Sequence, residues 1–187
     1  MKSIFRTGRV QSNNLSGDWG GKIGSYRISL SNIYQYGIIP NTDLNNTSFM
    51  IGGTMTPAKG LNISGALTYN KQYTKNFPEL TYGPTNYFYN LILWTGTDVD
   101  VRDLKNYWQS GKEGIQQRNY NISWYNNPYF IAYEYLRSYD KSNTFGNASV
   151  SYECLPGLTG KVVSGVNSWS LFRDYKIPKS FMGYSSK

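Results

Sequence analysis

Residues 25–37 read SYRISLSNIYQYG, and the fold turns on the spacing within that string. Tyr26, Ile28, Leu30 and Tyr34 share one parity, while Arg27, Ser29, Ser31 and Gln35 share the other. Successive side chains of a β-strand point to opposite faces, so period two collects the apolar set on one side and the polar set on the other. The string therefore predicts a strand with one apolar and one polar face.

The same signature recurs on either side. Ser48–Met55 carries Phe49, Ile51 and Met55 on one parity. Leu61, Ile63, Leu67 and Tyr69 alternate with Asn62, Ser64, Ala66, Thr68 and Asn70. Thr56-Pro57-Ala58-Lys59-Gly60 joins these two as a tight turn, with Pro and Gly in turn positions. Farther on, Ala148, Val150 and Tyr152 alternate with Asn147, Ser149, Ser151 and Glu153; Leu155-Pro156-Gly157 turns the chain, and Leu158, Val162 and Val166 continue it. A weaker strand, Val10–Asp18, precedes a turn around Trp19-Gly20-Gly21. The pattern predicts an all-β, antiparallel up-and-down meander of about six strands, over roughly residues 10–70 and 143–173.

The connections alternate in length. The turns near Gly20, Pro57 and Pro156 are short, the link from Tyr36 to Asn46 is intermediate, and the stretch from Gln72 to about Ser142 is long. Short turns at one end and long loops at the other are the layout of an outer-membrane barrel. Strands of about ten residues tilted near 45° span roughly 25 Å, the height of the apolar band of such barrels. No apolar run approaches the length of a transmembrane helix, so a membrane crossing has to be made by strands. Within the long loop, residues 98–108 read DVDVRDLKNYW. Asp100 is placed to cap a helix and Asp103 to sit in its first turn, with Val101, Leu104 and Trp108 on one face, so a short helix is expected there.

Composition narrows the function. The chain has 187 residues, 39% hydrophobic and 17% aromatic with 18 Tyr, and its net charge of +8 is scattered rather than gathered into a basic run. The aromatic load argues against disorder; the scattered charge argues against nucleic acid. There is no His, and Cys154 is the single cysteine, which removes the commonest general base, an internal disulfide and a cysteine zinc site. Residues 1–10 show no apolar core of a signal peptide. Asp98, Asp100 and Asp103 bring three carboxylates close together, but the spacing is not that of an EF-hand loop and helix capping explains them better than calcium. No nucleophile elbow, P-loop or catalytic acid pair is present, so neither enzymatic chemistry nor a cofactor is expected. Asn-x-Ser/Thr triplets include those at Asn14, Asn45, Asn62, Asn121 and Asn147; several fall in predicted strands and are read as compositional.

Solute contact is assigned to the long loop, which carries Tyr82, Tyr87, Tyr89, Trp94, Trp108, Trp124, Tyr125 and Tyr129. Rings of this kind stack on sugars or pack against peptides, and Trp94, Trp108, Trp124, Tyr125 and Tyr129 are the candidate substrate-binding residues. The competing reading for any one ring is loop packing or anchoring at a membrane interface. Tyr26, Tyr34, Tyr69 and Tyr152 lie towards strand ends on the apolar parity and suit an interfacial girdle. Arg27, Lys71 and Glu153 are assigned to the polar face.

Several strings occur in an order resembling that of SusC/RagA-type TonB-dependent transporters. SLSNIYQYGIIPNT (29–42) resembles a barrel strand and its following loop; NNPYFIAYE (126–134) and FGNASVSYE (145–153) resemble segments that follow in the same order, and DVDVRDLKNYW sits where that family has a loop helix. The resemblance runs from about Phe5 to Tyr175. It implies a large barrel in the cell outer membrane, in contact with outer-membrane lipid and paired with a SusD-like surface lipoprotein. Uptake of an oligosaccharide or peptide would be driven by TonB through an N-terminal plug. A 22-stranded barrel at about ten residues per strand needs roughly 220 residues for strands alone. The chain is therefore expected to be a partial barrel wall, without plug, TonB box or terminal aromatic. Two alternatives stand beside this one. A complete barrel of about eight strands would need further strands near Asn119–Tyr125 and Phe130–Leu136. A soluble glycan-binding module would bury its apolar strand faces against a second sheet.

Overall fold

The protein is seen in a computed structural model that describes residues 4–121 and 124–183. Six strands form one antiparallel sheet in the order of the chain: β1 (Arg9–Gly20), β2 (Gly24–Tyr36), β3 (Asp43–Ala58), β4 (Leu61–Thr74), β5 (Leu136–Leu155) and β6 (Leu158–Lys176). The sheet is an up-and-down meander and does not close on itself, as the alternation predicts.

The register shows why period two matters. Residues directly opposite in an antiparallel pair lie on one face. One row runs Leu15–Leu30–Phe49–Tyr69–Thr144–Ser168, and the next on the same face runs Gly17–Ile28–Ile51–Leu67–Gly146–Val166. A further row adds Trp19 and Tyr26, and another aligns Met55, Ile63, Val150 and Val162. The opposite face carries Asn14–Ser31–Ser48–Asn70–Asn143 and Ser16–Ser29–Met50–Thr68. Its side chains bond to one another: Asn70 Nδ2 donates to Ser48 Oγ at 2.6 Å and to Asn46 Oδ1 at 2.7 Å, and Ser64 and Ser149 hydroxyls meet at 2.9 Å.

The apolar face is bare. Leu15 is 74% exposed, Ile51 45% and Val166 50%. The chain exposes 12502 Å², against about 9,100 Å² for a folded monomer of its mass. Above the band, on the loop side, the face turns polar at Asn13–Asn32–Thr47–Lys71–Ser142–Ser170, so Lys71, expected on the polar face, stands instead on the face of Leu67 and Tyr69, beyond the apolar band. The band also runs obliquely. Counted from the Leu15–Ser168 row, the β1–β2 hairpin closes about five residues down, β3–β4 about eight and β5–β6 about ten. At about 3.4 Å per residue and 4.8 Å between strands, that drift corresponds to strands tilted about 40° to the normal of the line of turns. The lower limit of the apolar band descends with the turns, from Trp19 and Tyr26 through Leu61 to Leu158.

Among the described residues, no buried hydrophobic residue lies in a strand. The buried ones lie in residues 75–135, in the β2–β3 link and in the segment before β1. Ile4, Leu91, Val101, Leu104 and Tyr129 form one cluster, and Ile39, Tyr87, Ile131 and Ala132 a second, with Phe5 touching both. This loop cap has its own helices, α1 (Tyr87–Tyr89) and α2 (Pro128–Glu134). Asn76 and Asn41 fasten it to the sheet: both side-chain amides donate to Ala132 O, and Asn76 Oδ1 accepts from Arg137 N.

Several expectations need correcting. The strands reach farther into the loop than the alternation indicates, because Ser138–Asn143 is polar on both faces and shows no period; the loop spans 75–135, not 72–142. Residues 98–108 form no continuous helix. Asp100 Oδ1 accepts from Arg102 N at 2.9 Å and pairs with its guanidinium, closing a local turn. Only Asp103–Lys105 winds once, as a 3₁₀ turn, and Trp108 is already extended, bridged to Gln117. Val101 and Leu104 are nonetheless buried together. The extra strand proposed for Phe130–Leu136 is instead α2, started by Asn127 and Pro128. Residues 122 and 123 of the other extra strand lie outside the described residues.

At the rim, the Arg137 guanidinium lies over Phe77 (4.2 Å) and Tyr175 (5.3 Å) and pairs with Glu79. Burial pushes the Glu79 carboxyl up, but hydrogen bonds from Thr81 and Leu80 and the Arg137 charge outweigh it, and the group titrates below its ordinary value. A carboxyl lowered by folding adds stability above its unfolded value, and loses it as pH falls through the folded value. The loop entrance is expected to loosen below about pH 4. Hydrogen exchange of the Phe77 amide, bonded to Arg137 O at 2.9 Å, reports it; equal protection factors at pH 6 and 3 would refute the expectation.

Candidate functional site

The loop cap brings its aromatic rings into two groups. The first begins at α1. Asn86 caps it, its Oδ1 accepting from Tyr89 N at 3.1 Å, while its Nδ2 donates to Thr81 O. The helix then widens into one π-helical turn, Asn90–Trp94. Such a turn shifts the side chains that follow it relative to a regular helix. Trp94 stacks on Tyr125 at 5.1 Å and 22°. Tyr89 lies 6.2 Å from Trp94, 6.4 Å from Tyr125 and 4.6 Å from Tyr82. A hydrogen bond with Tyr82 is the main influence raising the Tyr89 hydroxyl, with burial adding to it and Trp94 and Tyr125 opposing.

Tyr125 is buried and supports Trp94 from behind; the open rings are Trp94, 48% exposed, and Tyr82. Ile92, Leu93 and Trp124 are also exposed. A rigid ring with one free face beside hydroxyl groups can stack on the apolar face of a sugar or hold an aromatic side chain of a peptide.

The second group surrounds α2. Trp108 meets Phe130 edge-on at 5.4 Å, and Tyr107 lies parallel to Tyr133 at 6.0 Å. Burial, and then the hydrogen bond to Glu134, push the Tyr107 hydroxyl up to about 12.

Of the five rings picked from sequence, then, Trp94 and Tyr125 come together, and Trp124 stands exposed next to Tyr125 in the chain. Trp108 belongs to the separate group on α2. Tyr129 is buried in the cap core with Leu91 and Leu104, where its ring packs rather than presents. Among the described residues no three His, Cys, Asp or Glu side chains gather to hold a metal ion. Asp100 is committed to Arg102, whose hydrogen bonds hold its carboxyl down at about 2.

Sequence reasoning passed over one feature. Phe145 and Trp169 stand on the polar face of β5 and β6, among Asn and Thr side chains. Their parity was the available signal: Phe145 shares it with Asn147 and Ser149, not with Val150. No protein-family model matches the chain, and no curated protein matches it at a significant level.

Proposed function

We propose that the chain is a section of the wall of an outer-membrane β-barrel. Its parent is a SusC/RagA-type transporter that takes up an oligosaccharide or peptide, with a SusD-like lipoprotein on the loop side and TonB acting through a plug. The observation that carries the membrane reading is the apolar band: exposed, bounded on the loop side by a polar row, and oblique in step with the hairpin turns. A tilt of about 40° is that of barrel strands, and a band level with the turns is what a flat hydrocarbon slab selects. The family reading rests on the ordered strings 29–42, 126–134 and 145–153. A two-layer module finds less support, since among the described residues no second layer covers Ile28, Phe49 or Val150, all well exposed.

No bond is made or broken in this function. Aromatic rings of the loop cap, Trp94 foremost, capture the solute. The Ser, Asn and Thr side chains of the polar face then exchange hydrogen bonds with it as it passes, each weak enough to release.

A nitroxide scan through residues 61–70 in lipid vesicles, with Cys154 replaced by Ser, tests the reading. Oxygen accessibility should peak at Leu61, Ile63, Gly65, Leu67 and Tyr69, and accessibility to a water-soluble nickel complex at the residues between them. A scan in which the nickel complex reaches both parities equally would end the proposal.

A further inference from the structure

The polar face of the sheet is not uniform. On β1 to β4 its loop end is mostly Ser, Asn, Gln and Thr, with Val10, Ile33 and Leu44 among them and no aromatic ring, but β5 and β6 depart from this. Trp169 stands opposite Asn143, and Phe145 opposite Asn167, so two rings and two amides alternate like squares of a board. Trp169 is 65% exposed and Phe145 45%. Towards the loop cap, Lys141 pairs across with Leu171, and Arg173 follows on β6 opposite Tyr139. Neither cation is in an ion pair among the described residues.

Carboxylates are absent from this half of the face. On the polar parity of the six strands the acids are Asp18, bound to Arg27 at 3.1 Å, and Glu153, both towards the short turns. The Lys71–Asp140 pair lies on the other face, so it does not neutralise Lys141. Two cations with no ion pair among the described residues thus stand beside two open rings and two amides. Cross-strand neighbours lie about 5 Å apart and diagonal ones about 7 Å, so the six side chains line one continuous strip.

We infer that this strip is a binding site for an acidic oligosaccharide, one whose pyranose rings bear carboxylates. Trp169 and Phe145 offer flat apolar surfaces to the C–H faces of the rings. Asn143 and Asn167 flank them as hydrogen-bonding amides for hydroxyl groups. Lys141 and Arg173 meet the carboxylates, Arg173 by a forked pair of N–H donors. Phe145 to Arg173 spans about 20 Å of strand, longer than one sugar ring. The site rests on the reading of this face as the solute's path and narrows its cargo from oligosaccharide or peptide to a charged sugar.

The test uses the full chain in a detergent without a sugar headgroup, titrated calorimetrically with trigalacturonic acid and, separately, maltotriose. The acid should bind at least tenfold more tightly, and added salt should erode the difference. Trp169→Ala should weaken both sugars about tenfold. K141Q combined with R173Q should abolish the preference for the acid while weak binding of maltotriose persists. Trp19→Ala, on the opposite face, should change neither. Equal affinity for the two sugars, or an acid preference that survives the double substitution, overturns the site. Absence of any sugar binding by a protein that still shows alternating nitroxide accessibility overturns the site and leaves the barrel-wall reading standing.

Discussion

Replacing Asn127 with alanine is expected to melt the loop cap and spare the sheet. Asn127 is fully buried. Its Oδ1 accepts from Tyr129 N at 2.8 Å and Phe130 N at 3.3 Å, which caps α2; its Nδ2 donates to Leu104 O at 2.9 Å and Arg118 O at 2.7 Å. One side chain therefore ties α2 to two other stretches of the cap. Loss of the cap costs about 1 kcal/mol, and each of the two backbone carbonyls left dry about 1–3 kcal/mol, so the total is about 3–7 kcal/mol. Asn127→Asp keeps the capping oxygen and loses both donors, and should fall between. Hydrogen exchange over residues 84–134 should accelerate in the order wild type, Asp, Ala, while amides of β2 to β4 stay protected. Unchanged exchange in the alanine variant would refute the role.

The second large effect is expected on the bare face. Leu67 sits near the middle of the apolar band, paired with Ile51 on one side and Gly146 on the other. In a bilayer, Leu67→Arg should destabilise the fold by about 2–4 kcal/mol, as a cation near the hydrocarbon midplane does. Thr68→Arg, one residue along and facing the other way, should cost well under 1 kcal/mol, since surface substitutions away from special features usually do. Urea unfolding in vesicles compares them. Equal destabilisation by the two arginines would remove the case for lipid on one side only.

The strands are legible because β2 to β4 and the turn half of β5 each have one apolar and one polar parity, and the sheet imposes that pairing on Ile28, Ile51, Leu67 and Val150. Where both parities are polar, as in Ser138–Asn143, backbone pairing continues without a side-chain signal. The loop was harder. The spacing puts Val101, Leu104 and Trp108 on one helix face; Val101 and Leu104 are buried together, but beside a 3₁₀ turn, while Trp108 packs on Phe130 and Asp100 accepts from Arg102 instead of heading a helix. Asn127 and Pro128 carry a plain helix-start signal that the sequence reading left unused. The ring contacts are not readable at all: Trp94 and Tyr125 are far apart in sequence, and the amides of Asn90 and Asn126, both donating to Pro84 O, help hold the two stretches together.

Because among the described residues no buried hydrophobic side chain belongs to a strand, substitutions in the cap and in the sheet answer to different pressures. A strand residue is constrained by its parity and by the medium on its side, so many side chains of the right polarity will serve. A cap residue such as Phe130 or Asn127 is constrained by the shape of one interior. New surface rings can be tried on the cap, at positions such as Ile92 or Trp124, without risk to the wall beneath. Inheritance should therefore keep the wall's pattern while letting its letters drift, keep the letters of the cap's interior, and allow the cap's outer surface to diversify fastest.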